Sequence, residues 1–152
     1  MATSTLLQYM QPTDGAGVTN GVTPSNRRQV ERFIASHAIA ANDLVALDFS
    51  KAADGDKALY IRKALNSEIS QVAIGFALNA ATAAGDEVNV TIAGIHESAN
   101  VVGTTAAGDR LIISAVAGQA MVVTPSDIVP IVAVACEADT GNVATVFVLK
   151  QF

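Results

Sequence analysis

The 152-residue chain has no tryptophan, 5% aromatic residues and a single cysteine. Its interior must therefore be filled by Val, Ile, Leu and Ala, and no intrachain disulfide can form. Charge is scarce as well: Asp, Glu, Lys and Arg make up 15% of residues, against roughly 25% in an ordinary soluble domain. A surface so poor in ions is expected to be covered in part by other chains. The net charge is −5 and no basic cluster exceeds Arg27-Arg28 or Arg62-Lys63, which argues against binding to phosphate backbones. No apolar run approaches the ~18 residues of a membrane helix. The start, MATSTLLQYMQ, has neither a basic segment nor an apolar core of the secretory kind, so synthesis in the cytosol is expected.

Chemical signatures are missing too. No GxGxxG, GxxxxGK[ST], GxSxG or HExxH occurs, which removes the spacing that dinucleotide, phosphate-loop, α/β-hydrolase and zincin sites need. The only histidines, His37 and His96, have no second His or Cys at ligand spacing, so no metal site is assigned. His96-Glu97 is read as a solvated turn in preference to an acid/base pair. Cys136, in IVAVACEA, is read as a buried, inert thiol. Asp54, Asp56 and Lys57 around Gly55 read as an exposed loop with local charge pairing, too short in oxygen ligands for a calcium loop. Asn89-Val90-Thr91 matches the glycosylation triplet by chance, inside a strand. No catalytic residue and no cofactor are assigned.

What is present is a strand pattern. QVAIGFALNAATAAGDEVNVTIAGI, residues 71–95, reads as a β-hairpin. Val72, Ile74, Phe76 and Leu78 are placed on one face of its first strand. Ala73, Gly75 and Ala77 leave the other face bare enough for close backbone approach. Val88, Val90 and Ile92 alternate with polar residues, the period of a half-buried strand. A turn device recurs: Ala41-Asn42-Asp43, Ala84-Gly85-Asp86 and Ala107-Gly108-Asp109 each introduce an apolar run. Gly, or Asn in its place, suits a left-handed backbone, and Asp suits capping of the turn's own amides. Their unequal intervals point to a repeated device and not to a solenoid.

Strands are expected over residues 28–37 (an edge strand), 43–49, 58–63, 70–78, 87–92, 110–114, 120–123, 128–135 and 143–149, with Gly and Pro between them. Pro130 is expected to mark a bulge or edge. Single helical turns are expected only over 124–129 and 80–84. This spacing predicts an all-β fold, a small β-barrel or sandwich-like domain over residues 28–152. Residues 1–27 lack any period and read as an extended N-terminal arm that orders on a neighbouring subunit. Leu6, Leu7, Tyr9 and Met10 are its expected contacts. The apolar end of the chain, with Val146, Val148 and Phe152, is the expected oligomer face.

The succession LVALD, YIRKA, QVAIGFALNAATAAGDEVNVTIAGI, TTAAGDRLIISAVAGQAM and VACEADTGNVATVFV resembles the small capsid decoration, or cement, proteins of tailed bacteriophages. The resemblance runs from about Ile34 to Phe152. Its most specific part is Ile74 to Gly94, and Ala107 to Gly118 adds a second AGD turn. The arm before Arg27 is a departure, so its docking site does not carry over. The resemblance implies a β-barrel or β-tulip domain and a structural, non-enzymatic protein of the virion. It further implies binding to the major capsid protein on the outside of the head, commonly as a homotrimer that clamps neighbouring capsomers. Two other classes share parts of the pattern. A biotinyl- or lipoyl-type carrier domain needs an exposed Lys between apolar residues at a hairpin tip, a setting that Lys57 in DGDKAL lacks. A trimeric barrel enzyme would need Asp, Ser and Arg groups converging between subunits.

Overall fold

The computed structural model describes residues 28–66, 72–124 and 129–151. Nine strands and one short helix follow in chain order: β1 (Gln29–Ala35), β2 (Leu44–Leu47), α1 (Asp54–Leu59), β3 (Tyr60–Lys63), β4 (Ala73–Ala77), β5 (Glu87–Val102), β6 (Arg110–Ile113), β7 (Ala120–Val122), β8 (Ala133–Ala135) and β9 (Val143–Val148). The all-β small-barrel expectation holds.

The strand pairings trace two closed rings that share one strand. In the first, β1 pairs β3, β3 pairs β2, β2 pairs β4, β4 pairs β5, and β5 returns to β1. In the second, β5 pairs β7, then β6, β8 and β9 follow, and β9 returns to β5. Each ring has one parallel pairing, at the same place: β1 with β3, and β5 with β7. The registers correspond as well. Phe76↔Thr91 and Ala77↔Val90 in the first ring match Val134↔Phe147 and Ala135↔Val146 in the second. The described residues thus form two copies of one five-stranded motif, with the 16-residue β5 closing the first and opening the second. Closing both rings leaves few unpaired edges.

The recurring turns are the joints of this repeat. Asn42, Gly85 and Gly108 have φ of 70°, 95° and 92°, so Asn42 does stand where glycine stands elsewhere. Each Asp accepts a hydrogen bond on Oδ2 from the amide three residues back: Ala40 to Asp43 (2.9 Å), Ala83 to Asp86 (3.0 Å) and Ala106 to Asp109 (2.8 Å). That is the expected backbone capping. Each turn then exchanges two backbone hydrogen bonds with the alanine that ends another strand. Asn42 N–H donates to Ala77 and Ala77 N–H to Asp43; Gly85 and Asp86 do the same with Ala35, and Gly108 and Asp109 with Ala135. The three alanines are buried, and a larger side chain there would meet the ring interior.

Two apolar clusters follow the two rings. Phe33, Val45, Ile61, Ile74, Val88, Val90 and Ile92 fill the first. Leu111, Ala120, Ala133, Val146 and Val148 fill the second, joined by Leu44, Ala46, Ala64 and Phe76 from the outside of the first ring. With so few aromatics the packing is aliphatic. Full burial of each Val, Leu, Ile or Phe side chain here contributes about 1.5–3 kcal/mol.

Several elements differ from the sequence reading. β1 is not a plain edge strand: it pairs along its length with β5 and, through Ile34 and Ala35, with β3. Ile74 and Phe76 do not share a face, because a register shift between Val45 and Ala46 sends Ile74 into the first ring and Phe76 out toward the second. Gly75 is bare for the predicted reason: a Cβ there would collide with the Thr91 carbonyl. Residues 54–59 form α1 and not a loop, although the expected local pairing exists as Lys57 Nζ to Asp54 Oδ1 at 2.7 Å. β8 starts only at Ala133, and Pro130 is exposed before it, outside any strand. Residues 80–84 carry no helix; the helical turn expected over 124–129 lies largely outside the described residues.

Candidate functional site

Where the rings meet, the buried polar residues gather. His96 lies in β5 just past Gly94, whose φ of 89° marks the change from one ring to the other. Its side chain is buried and lies between Thr91 Oγ1, 3.2 Å from Nδ1, and Asn42 Oδ1, 3.2 Å from Nε2. The amide oxygen of Asn42 can only accept, so Nε2 carries the proton and Nδ1 accepts from the Thr91 hydroxyl. Burial, with a smaller effect of the Arg28 charge, pushes His96 down to about 4. The imidazole is therefore neutral at physiological pH, with both nitrogens occupied. The solvated turn expected at His96-Glu97 is corrected: His96 is a buried strand residue, and Glu97 is exposed on the other side of β5.

Next to it, Asp43 is the one turn aspartate that is buried. Besides its capping bond it accepts from Asn100 Nδ2 at 2.9 Å and pairs with Lys63 Nζ at 2.9 Å. Gly118, from the connection between β6 and β7, sits against it, and a Cβ there would lie 2.8 Å from Asp43 Cγ. That connection is bolted to the first ring: Leu44 N–H donates to Gly118 C=O, Gly118 N–H to Ala64 C=O, and Asn66 N–H to Ser114 C=O. Among the described residues every buried side-chain nitrogen and oxygen has a partner. Such a network fixes one arrangement of the rings.

Elsewhere, burial raises Asp48, but hydrogen bonds from Ser36 (2.5 Å) and Ser50 (2.6 Å) outweigh it and hold the carboxyl below its usual range. Cys136 is exposed, not buried, because it falls one residue beyond β8; partial burial and then Glu137 push its thiol up. Among the described residues no group of three or more His, Cys, Asp or Glu gathers as a metal site. Lys57 is held in α1 beside Asp54, away from any hairpin tip, so it does not match the carrier-domain setting.

The other feature is an outward row on the second ring. Val134, Phe147 and Ile95 stand side by side on β8, β9 and β5, with Arg110 and Val123 continuing the row across β6 and the end of β7. Phe147 is 43% exposed at its centre. Of the sequence-predicted contacts, Val146 and Val148 face the other way, into the core of their own chain, at 0% and 1% exposure. The exposed large apolar side chains of β9 are instead its outward-facing Phe147 and Val143. Leu6, Leu7, Tyr9, Met10 and Phe152 lie outside the described residues. The strand period alone would have selected Phe147, had the apolar faces of 143–149 been divided into inward and outward sets.

The described residues thus form an all-β module with an aliphatic core, a hydrogen-bonded polar joint and an outer row in which Phe147 is exposed. No protein-family model and no curated protein matches the chain. Among solved structures, the N base of the head fiber gp8.5 of bacteriophage phi29 is similar, with a TM-score of 0.55 at 17% identity over 80% of this chain and 94% of that one. At this identity the likeness is one of fold.

Proposed function

We propose that the chain is a structural protein of a tailed-bacteriophage head, carried on the outer surface of the shell as a homo-oligomer, a trimer by the family resemblance. The observation that carries this reading is the shared fold: the likeness extends over 94% of a head-fiber base, and the sequence resemblance to capsid decoration proteins is an independent line to the same location. The site is consistent with it. Among the described residues the buried polar atoms of the joint all have hydrogen-bond partners, and large apolar side chains such as Phe49, Leu59 and Phe147 are left exposed for contact with other chains.

In this role the double ring is a rigid platform that clamps neighbouring copies of the major capsid protein, and residues 1–27 supply a second contact through Leu6, Leu7, Tyr9 and Met10. Several copies acting together would gain avidity, so that weak single contacts hold against the pressure of packaged DNA. The fold neighbour is a fiber base, which supports a second reading in which the module anchors a projection without strengthening the shell. Co-sedimentation with mature heads tests both. Binding whose removal makes heads leak DNA on mild heating supports the cement reading. Binding whose removal leaves heads equally robust favours the base. Absence of binding to heads sinks both.

A further inference from the structure

The internal repeat gives the outward row of the second ring a counterpart in the first. In the first ring the corresponding row is Ala64, Leu44, Phe76, Thr91 and Val30, matched position by position to Val123, Arg110, Val134, Phe147 and Ile95 through the strand registers. Ala64, Leu44, Phe76 and Thr91 are all at 0% exposure. They are covered by the second ring, through His96 and through the 114–119 connection that hydrogen-bonds to Leu44, Ala64 and Asn66. In the matching row on the second ring Phe147 is exposed, and no described ring lies over it.

The covering piece has its own counterpart. The connection 114–119 of the second ring corresponds to residues 48–59 of the first, since β2 and β6 precede them and β3 and β7 follow. There Phe49 and Leu59 are 45% and 50% exposed. We propose that the row around Phe147 receives the 48–59 face of a second copy of this chain, repeating between molecules the contact that the two rings make within one. The occupant follows from the molecule itself: among the described residues, the body seated on the first ring's row is another five-stranded ring of the same motif. Because two different surfaces meet, the contact is heterologous, and it closes into a cyclic oligomer if the rotation between copies permits. The inference names the surface of the self-association in the proposed function and rests on that part of it alone.

Sedimentation velocity on the full chain tests it, with Phe147→Asp and Phe49→Asp as variants and Val116→Asp, an exposed apolar site off both surfaces, as the control. The expected result is a wild-type and a control oligomer, and two variants that sediment as single chains with the wild-type circular dichroism. Mixing the two variants should then give a complex of two chains and no larger one, since each keeps the surface the other lacks. Phe147→Ser replaces Phe147→Asp should the charge prevent folding. A monomeric wild type at ~100 μM, a Phe147 variant that keeps the wild-type mass, or folded variants that fail to mate on mixing would each overturn the proposal. A monomeric wild type that still binds heads leaves the head role standing and removes this contact; an intact oligomer that ignores heads does the reverse.

Discussion

His96 lies against the face of Phe76, with ring centroids 5.3 Å apart and planes 27° from parallel. Phe76 projects from the outside of the first ring and His96 from the part of β5 that belongs to the second. This aromatic pair, in a chain with so few aromatics, is the apolar half of the joint; Asp43, Lys63 and Asn100 are the polar half.

The buried imidazole makes stability depend on pH. The unfolded chain takes up a proton on His96 near 6.5 and the folded chain only near 4. Between those values the unfolded state binds more protons, so stability is full above about pH 6.5 and declines as pH falls to about 4, by about 3 kcal/mol. Urea unfolding across that range should show the decline, and His96→Gln should flatten most of it, leaving a smaller contribution of the same sign from His37. A wild-type slope retained in His96→Gln would refute the assignment. Asp48, lowered in the fold, adds its loss only below that window.

Gly75→Ala should prevent the native crossing of β4 and β5, because the added methyl collides with the Thr91 carbonyl and φ is 154°. Gly85→Ala has open space and a φ of 95°, so only backbone strain is added, at about 1 kcal/mol. Melting temperature and soluble yield should separate the two, with Gly75→Ala far the worse. Equal behaviour would mean that β4 can shift its register.

Two aspartates in one turn context should differ. Asp109→Ala removes a capping bond and should cost about 1 kcal/mol. Asp43→Ala removes the same cap and also strands Lys63 and Asn100 at the joint, and should cost about 3–5 kcal/mol. Chemical denaturation of both variants gives the comparison; an Asp43 cost no larger than that of Asp109 would show that the joint network contributes nothing.

Deletion of residues 1–25 should leave the melting temperature unchanged within ~2 °C while reducing co-sedimentation with heads at least tenfold. Undiminished binding would remove the arm from the proposed function.

Much of the fold is written locally. Strand positions were legible because apolar alternation and Gly-Asp punctuation are short-range signals, and the Asp capping of the turns followed from three residues at a time. The bareness of Gly75 was also readable, as a site of close backbone approach. β5 was foreseen only as far as Ile92, since Gly94 and the polar HES stretch look like an ending. They are instead the crossing from one ring into the next, where His96 is buried by residues some fifty positions away. Cys136 misled for the converse reason: its neighbours are apolar in sequence, yet the strand stops one residue earlier.

By itself the sequence determined the all-β class, the turn chemistry and an aliphatic interior, because each depends on residues adjacent along the chain. Only the tertiary structure decided that the motif occurs twice, that β5 is common to both copies, and which face of β9 looks outward. Those facts rest on pairings between distant segments, and a single bulge or one residue of register reverses which side of a strand is buried.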